Sequence, residues 1–176
     1  MLLLIAFLAF STLAPADVRN CACDLSKPES MAARECSLCR EAENQPADPP
    51  VFFLKDNNPR KPNRWLALPR GHVHVLSELS PEARAALWTA AIEKARQLWG
   101  NDWGLAVNGD ERRTQCHGHI HIGKLLENIE NTDFVQVDGP GNIPIPNDGS
   151  GFWIHPVDGK LHVHAGEQVT EFFLMR

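Results

Sequence analysis

Apolar and polar positions along the chain alternate with two periods. Residues 51–54 are a short apolar run, and Asp56-Asn57-Asn58-Pro59 carries turn chemistry. Residues 64–69 return as a second apolar run that ends at Pro69, so the two runs predict a β-hairpin. Ser80-Pro81-Glu82 then has the form of a helix start: a capping serine, proline at the first helical position and an acid in the first turn. Ala86, Leu87, Ala90, Ala91, Ala95 and Leu98 follow at helical spacing until Gly100-Asn101 stops the run. This amphipathic helix of about 19 residues, with its alanine-rich face, should lie close across a sheet.

Residues 103–107 predict a strand and 108–111 a turn. The next run is Gln115-Cys116-His117-Gly118-His119-Ile120-His121-Ile122. If it is a strand, its period of two puts all three imidazoles on one side and Ile120 and Ile122 on the other. Residues 124–130 suggest a short helix, and from Thr132 the chain is rich in Gly, Pro and Asp. Residues 152–154 and 161–163 predict two more strands around a tight turn at 157–160, and 171–175 predict a last one. The pattern as a whole is α+β, with an antiparallel sheet, one long helix across it and a short C-terminal β extension from about residue 131.

The chain has 176 residues and a net charge of −5, which bounds it to one domain and argues against broad nucleic-acid binding. Residues 1–16 differ from the rest. An unbroken apolar or small run from Leu2 to Phe10, followed by the small-x-small triplet Ala14-Pro15-Ala16, reads as a secretory signal, though no Lys or Arg precedes it. Export to the periplasm or medium is expected, with an uncleaved anchor as the alternative. Residues 17–50 form a cysteine-bearing arm with Cys21, Cys23, Cys36 and Cys39, which leaves Cys116 as an odd thiol. In an oxidising compartment the four thiols are expected to form two disulfides, in a pairing the spacing leaves open. Metal binding through the Cys36-x-x-Cys39 pair is the competing expectation.

Three imidazoles in a row suit two chemistries. In one, a neutral imidazole attacks the phosphorus of a phosphoanhydride, its neighbours fix its tautomer, and water later cleaves the phosphoramidate. Arg112, Arg113 and Lys124 flank the row, and Arg60, Lys61, Arg64 and Arg70 lie in the first hairpin, available to phosphates. In the other, the row supplies metal ligands. His162 and His164 also alternate, and could line the same cavity, face a partner or be structural.

The run His117-Gly118-His119-Ile120-His121-Ile122 resembles the signature of the histidine triad superfamily. The upstream segment, Phe53 to Pro59 and then Trp65-Leu66-Ala67-Leu68-Pro69-Arg70-Gly71-His72, is similar to that family's first hairpin, and Leu79-Ser80-Pro81-Glu82 to the start of its helix. The resemblance spans about residues 51–125, and the run from Asn108 to Ile122 is particularly similar to the CDP-diacylglycerol pyrophosphatase branch, whose members are also exported or anchored.

The resemblance implies a nucleotide phosphoanhydride hydrolase or nucleotidyl transferase that acts through a nucleotidyl-histidine intermediate. His119 would be the nucleophile, His121 its neighbour at the scissile bond, and His117 an orienting group or metal ligand. Asp56 matches the acid that holds ribose hydroxyls, with Asn58 beside it, and Asn108, Thr114 and Gln115 match polar contacts to substrate. The substrate would be a nucleotide or nucleotide conjugate, a membrane lipid conjugate included, and the family often dimerises. No cofactor is required for the chemistry, but a structural zinc on Cys36, Cys39, His72 and His117 fits the pattern of some relatives. Two departures stand out. Gly118 replaces the usual apolar residue, and Gln115 precedes His117 by two positions instead of four, so that aligning on Gln115 would make His121 the nucleophile. The register that keeps all three histidines is preferred. The alternative outside catalysis is a zinc- or nucleotide-binding module on the same scaffold.

Overall fold

The computed structural model describes residues 18–46 and 48–176; the expected secretory segment lies outside them. Two short helices open the chain, α1 (Pro28–Met31) and α2 (Ser37–Asn44). The first hairpin follows as β1 (Val51–Lys55) and β2 (Trp65–Pro69), in full antiparallel register. The long helix α3 runs over Pro81–Trp99, 19 residues, and the Ser80 hydroxyl accepts the Ala83 N–H at 3.2 Å as its N-cap. β3 (Trp103–Val107) and β4 (Ile120–Lys124) come next, then β5 (Val135–Val137), β6 (Gly151–Val157) and β7 (Lys160–Glu167).

All seven strands join one antiparallel sheet in the order β1-β2-β4-β3-β6-β7-β5. The C-terminal strands therefore extend the same sheet, because β6 pairs directly with β3. The tight β6–β7 turn places Asp158 and Gly159 at φ 47° and 79°, the left-handed geometry a two-residue hairpin needs.

One face of the sheet is closed by α3. Its Leu87, Trp88, Ala91, Ile92 and Ala95 are buried against Ala67, Leu105, Ile120, Ile122 and Ile154. The alanines let the helix settle close to the strands. The second face is covered in pieces. Leu38 and Ala42 of α2 pack on Phe52, Leu66 and Leu68 of the first hairpin. At the other side the C-terminal tail lays Leu174 against Ala106 and Trp153. Gly104 and Gly123 face each other across the β3–β4 ladder beneath that leucine. A Cβ on Gly104 would stand 2.6 Å from its Cδ2, so the leucine sits where it does because these two positions are glycines. Between α2 and the tail the face is open, and His121 projects there from the centre of the sheet, flanked by β2 and β3.

Several expectations are corrected. The histidine row is not one strand: β4 begins at Ile120, and residues 116–117 form a bend. The cause is local. The Cys116 N–H donates to the Glu35 carbonyl at 2.8 Å and the Gly118 N–H to the Val73 carbonyl at 2.8 Å, so this stretch is bonded to the arm and the 72–76 loop instead of to β2. Residues 125–130 form a bridge and a turn instead of a helix, since the Leu125 N–H is taken by the Asp102 carbonyl and Leu125 bridges Leu174. The expected last strand is a 3-10 turn over Thr170–Phe173, and β5 and α2 have no counterpart in the sequence expectation.

The cysteines also differ. Cys116 is not the odd thiol: it is bonded to Cys21, and Cys23 is bonded to Cys36, which leaves Cys39 free and 1% exposed. The zinc set of Cys36, Cys39, His72 and His117 does not fit. Cys36 has no thiolate to offer, and burial raises the Cys39 thiol to about 11. A non-reducing digest should yield linked peptides Cys21–Cys116 and Cys23–Cys36, with one thiol per chain that reacts only after denaturation. Replacing both Cys23 and Cys36 by serine should cost about 3 kcal/mol in urea unfolding. A Cys36–Cys39 bond in the digest would contradict this pairing.

Candidate functional site

The gap in the cover of the second face is a cleft of about 680 Å³. Its floor is His119 and His121, and its walls come from distant parts of the chain. Asp56, Asn58 and Lys61 belong to the first hairpin loop, Arg112 and Thr114 to the β3–β4 connection, and Ser37 and Leu38 to α2. A second, smaller cleft of about 340 Å³ meets the first at His119, Asn108 and Arg113. It is lined by Val75, Leu76, Val107, Ile145 and Phe152 together with Ser77, Asp110, Asn147 and Ser150, so both sides of His119 are of mixed polarity.

His119 is 6% exposed, and its Nδ1 lies 2.7 Å from the His117 carbonyl oxygen. A carbonyl only accepts, so Nδ1 carries the proton and Nε2 keeps its lone pair. His117 thus orients His119 through its backbone. The His117 ring is fully buried, turns away from both clefts and lies 5.5 Å from the His72 ring. Its Nδ1 donates to the Gly118 carbonyl at 3.1 Å, while Nε2 has no hydrogen-bond partner. Gly118 is explained by the same packing. A Cβ there would lie 3.3 Å from both Val73 and Leu76, so a larger residue would press on the 72–76 loop, which packs closely over this glycine.

His121 stands edge-on to His119, with ring centres 4.8 Å apart. The Asn108 amide holds it at Nε2 (3.4 Å), and the Asn108 oxygen accepts the Glu171 N–H at 3.1 Å. Asn108 therefore ties the C-terminal turn to the triad strand. On the other edge His121 Nδ1 lies 3.9 Å from the Glu171 carboxylate. Glu171 in turn pairs with Lys61 and, at 3.0 Å, with the buried Arg64. Burial alone would raise the Glu171 carboxyl. The positive potential around it, together with the Lys61 hydrogen bond, overrides that and holds it at about 2. Glu171 had no signal in the sequence. It reaches the site only because the tail folds back as a 3-10 turn.

The remaining expected residues divide. Asp56 and Asn58 are at the larger cleft, where the Asp56 carboxylate accepts the Asn58 N–H at 2.9 Å and shapes the loop. Thr114 and Arg112 are exposed on its rim. Gln115 lines the rim too, but its amide is engaged. The oxygen accepts the Ser37 hydroxyl at 2.7 Å and the nitrogen donates to the Arg34 carbonyl at 3.2 Å, so it fastens the arm as a wall of the cleft. Arg113 is 6% exposed and fixed by Asp110 at 2.9 Å and by the His74 carbonyl. His72 lies behind the triad, outside the clefts that His119 lines. His162 and His164 do not share the cleft either, because Trp153 and the tail stand between.

Burial lowers the pKa of all three triad imidazoles. For His117, burial and the proximity of His72 and His119 bring it to about 3, and for His121, burial and repulsion from His119 do the same. For His119, burial again dominates and Arg113 adds to it.

No protein-family model matches the chain, and no curated protein matches it. Among solved structures the chain is similar to a HIT family hydrolase from Clostridium thermocellum. That similarity is 22% identity with a TM-score of 0.46, over 57% of this chain and 98% of the other. A likeness of this size carries no functional inference.

The histidine burial has a stability consequence of definite sign. Below pH 6.5 the unfolded chain takes up protons that folded His117 and His121 refuse until about pH 3. Their contribution is complete above pH 6.5 and is lost as pH falls toward 3, by roughly 1.4 kcal/mol per pH unit for each imidazole. Urea unfolding at stepped pH should show this decline, and His121→Asn should reduce its slope by about 1.4 kcal/mol per pH unit, leaving the His117 contribution. A flat profile between pH 6.5 and 4 would contradict the burial argument.

Proposed function

We propose that the protein is a nucleotide phosphoanhydride hydrolase or nucleotidyl transferase, acting through a nucleotidyl intermediate on His119. The observation that carries this is the His119 Nδ1–H bond to the His117 carbonyl at the junction of two clefts. It leaves a neutral imidazole with Nε2 as its lone-pair nitrogen, which is what nucleophilic attack on phosphorus requires. The resemblance of the 117–122 run to the histidine triad signature points the same way, and it favours His119 over His121, whose Nε2 is occupied by Asn108.

In this reading the nucleoside occupies the larger cleft with its ribose at Asp56 and Asn58, and Thr114, Arg112 and Lys61 receive the phosphates. The Nε2 lone pair forms a P–N bond as the bond from phosphorus to the leaving oxygen breaks. The positive charge that develops on the ring is stabilised by the Nδ1–H bond to the carbonyl. Water then cleaves the P–N bond and restores the imidazole, or an acceptor hydroxyl takes the nucleotidyl group. Arg113 contributes charge from a fixed position, since Asp110 and the His74 carbonyl hold its guanidinium. Gln115 acts through the arm it fastens.

A narrower version has a leaving group with an apolar body, as in CDP-diacylglycerol, received by the second cleft beside His119. Val75 and Ile145, both half-buried at its wall, offer such a body an apolar surface. Two disulfides support an exported enzyme, which would meet such a substrate at a membrane surface.

Turnover of a dinucleoside polyphosphate, an adenosine phosphoramidate and CDP-diacylglycerol by the purified chain tests these readings together. His119→Ala should lower kcat/KM by at least about 10³-fold, and His121→Ala by about 10²-fold. Ile145→Asn, at the half-buried wall of the second cleft, should selectively impair the lipid conjugate if the narrower version holds. Absence of turnover on all three, with retained nucleotide binding, would instead identify a binding module. Activity unchanged in His119→Ala would refute the nucleophile.

A further inference from the structure

Three further histidines gather on the same sheet face as His121, beyond Trp153. His155 faces His162 across the β6–β7 ladder, and His164 faces Trp153, so the period of two brings all three rings to one side. Ile154 and Val163, of opposite parity, lie in the core under α3. The three imidazoles are 6%, 7% and 2% exposed. Glu130, from the β4–β5 connection, closes over them. One ligand atom from each of the four residues can be chosen so that all lie within 4.8 Å of one another.

We propose that Glu130, His155, His162 and His164 form a binding site for a divalent transition-metal ion, with zinc the ion that the spacing fits.

The first argument is proton accounting. His164 Nδ1 donates to the Asp133 carbonyl at 3.1 Å, so its Nε2 bears a lone pair. That lone pair lies 3.3 Å from His155 Nε2 and 3.6 Å from a Glu130 oxygen. His162 has an acceptor at each nitrogen, Glu130 Oε1 at 2.9 Å from Nδ1 and Gln136 Oε1 at 3.4 Å from Nε2. A neutral imidazole has only one N–H, so if Gln136 receives it, the Nδ1 lone pair faces a carboxylate. His155 Nε2 lies 2.5 Å from Glu130 Oε2 and so can donate its own N–H there. That leaves a single proton among three inward nitrogens and a carboxylate, and one cation in its place would bind all four.

The second argument is geometry. With zinc–nitrogen bonds of about 2.0–2.1 Å, the edge of a tetrahedron is about 3.3–3.4 Å. The His155–His164 separation matches it, the His162–Glu130 and His164–Glu130 separations fall on either side, and the 2.5 Å His155–Glu130 contact is a hydrogen bond that opens when the exposed Glu130 turns to the ion. The third is the surrounding shell. Metal-binding imidazoles usually give their outer N–H to a carbonyl or amide oxygen, as Asp133 and Gln136 receive them here. The rings are also clamped by stacking, His164 on Trp153 and His162 on Phe134, each with centres 3.8 Å apart. Four protein donors make a closed, structural site that fastens the 126–134 connection to the hairpin.

This site stands apart from the triad, and its test does not use activity. The full chain is stripped with chelator, then titrated with zinc against a chromophoric competitor and with cobalt by visible absorption. One ion per chain should bind, and cobalt should give the intense bands of low coordination number. Glu130→Gln, at a position 43% exposed and so tolerant of change, should weaken zinc at least about 10-fold. His162→Ala should abolish the cobalt bands, while His72→Asn should keep them. Circular dichroism of the metal-free variants separates loss of the site from loss of the fold. No stoichiometric binding by the folded wild-type chain would overturn the proposal, and so would binding that Glu130→Gln and His162→Ala leave unchanged.

Discussion

A buried imidazole is neutral and has a single N–H to place, and that constraint shapes both histidine clusters of this protein. Six of its eight histidines are buried. Each outward N–H given to a backbone or side-chain oxygen turns the other nitrogen into a directed lone pair. At His119 the acceptor is the His117 carbonyl, and the lone pair belongs to the ring at the junction of the two clefts. At His164 the acceptor is the Asp133 carbonyl, and the lone pair meets its neighbours. The same sheet face thus carries one site with a single poised nitrogen and another where several nitrogens converge, with Trp153 and Leu174 as the partition between them.

The larger cleft depends on elements remote in sequence. The arm forms one wall because the Cys21–Cys116 disulfide, the Cys116 N–H bond to Glu35 and the Gln115–Ser37 bond fasten it beside the triad. The tail forms the opposite wall because Gly104 and Gly123 admit Leu174, and Asn108 grips the backbone of Glu171. Lys61 and Arg64 then become part of the site through Glu171, which pairs with both, leaves a net positive charge and sits beside His121. Loosening either wall would be felt at the histidines without touching them.

Much of the fold was legible from periodicity. The first hairpin, the capped helix at Ser80-Pro81 and the β6–β7 hairpin have strong local signals, and the structure has all three. What was not legible is what long-range bonds decide. The strand start at Ile120 instead of Gln115 follows from hydrogen bonds to Val73 and Glu35. Cys116 looked unpaired because its partner is 95 residues away. Gln115 looked like a substrate contact, yet its amide is spent on the arm. Glu171 and Glu130 carried no motif, since each reaches its histidines through a connection of irregular backbone. His162 and His164 were visible as a pair, but His155 joins them only through the register of the hairpin.

The central claim is that His119 Nε2 forms the covalent intermediate. Its most direct test is to mix the protein with substrate, quench in alkali, where phosphoramidates persist, and map the modified peptide by mass spectrometry. The account predicts one nucleotidyl group per chain on His119, absent from His119→Asn and retained at a reduced level in His121→Asn. A nucleotidyl group on His121, or rapid turnover with no adduct on either histidine, would contradict it.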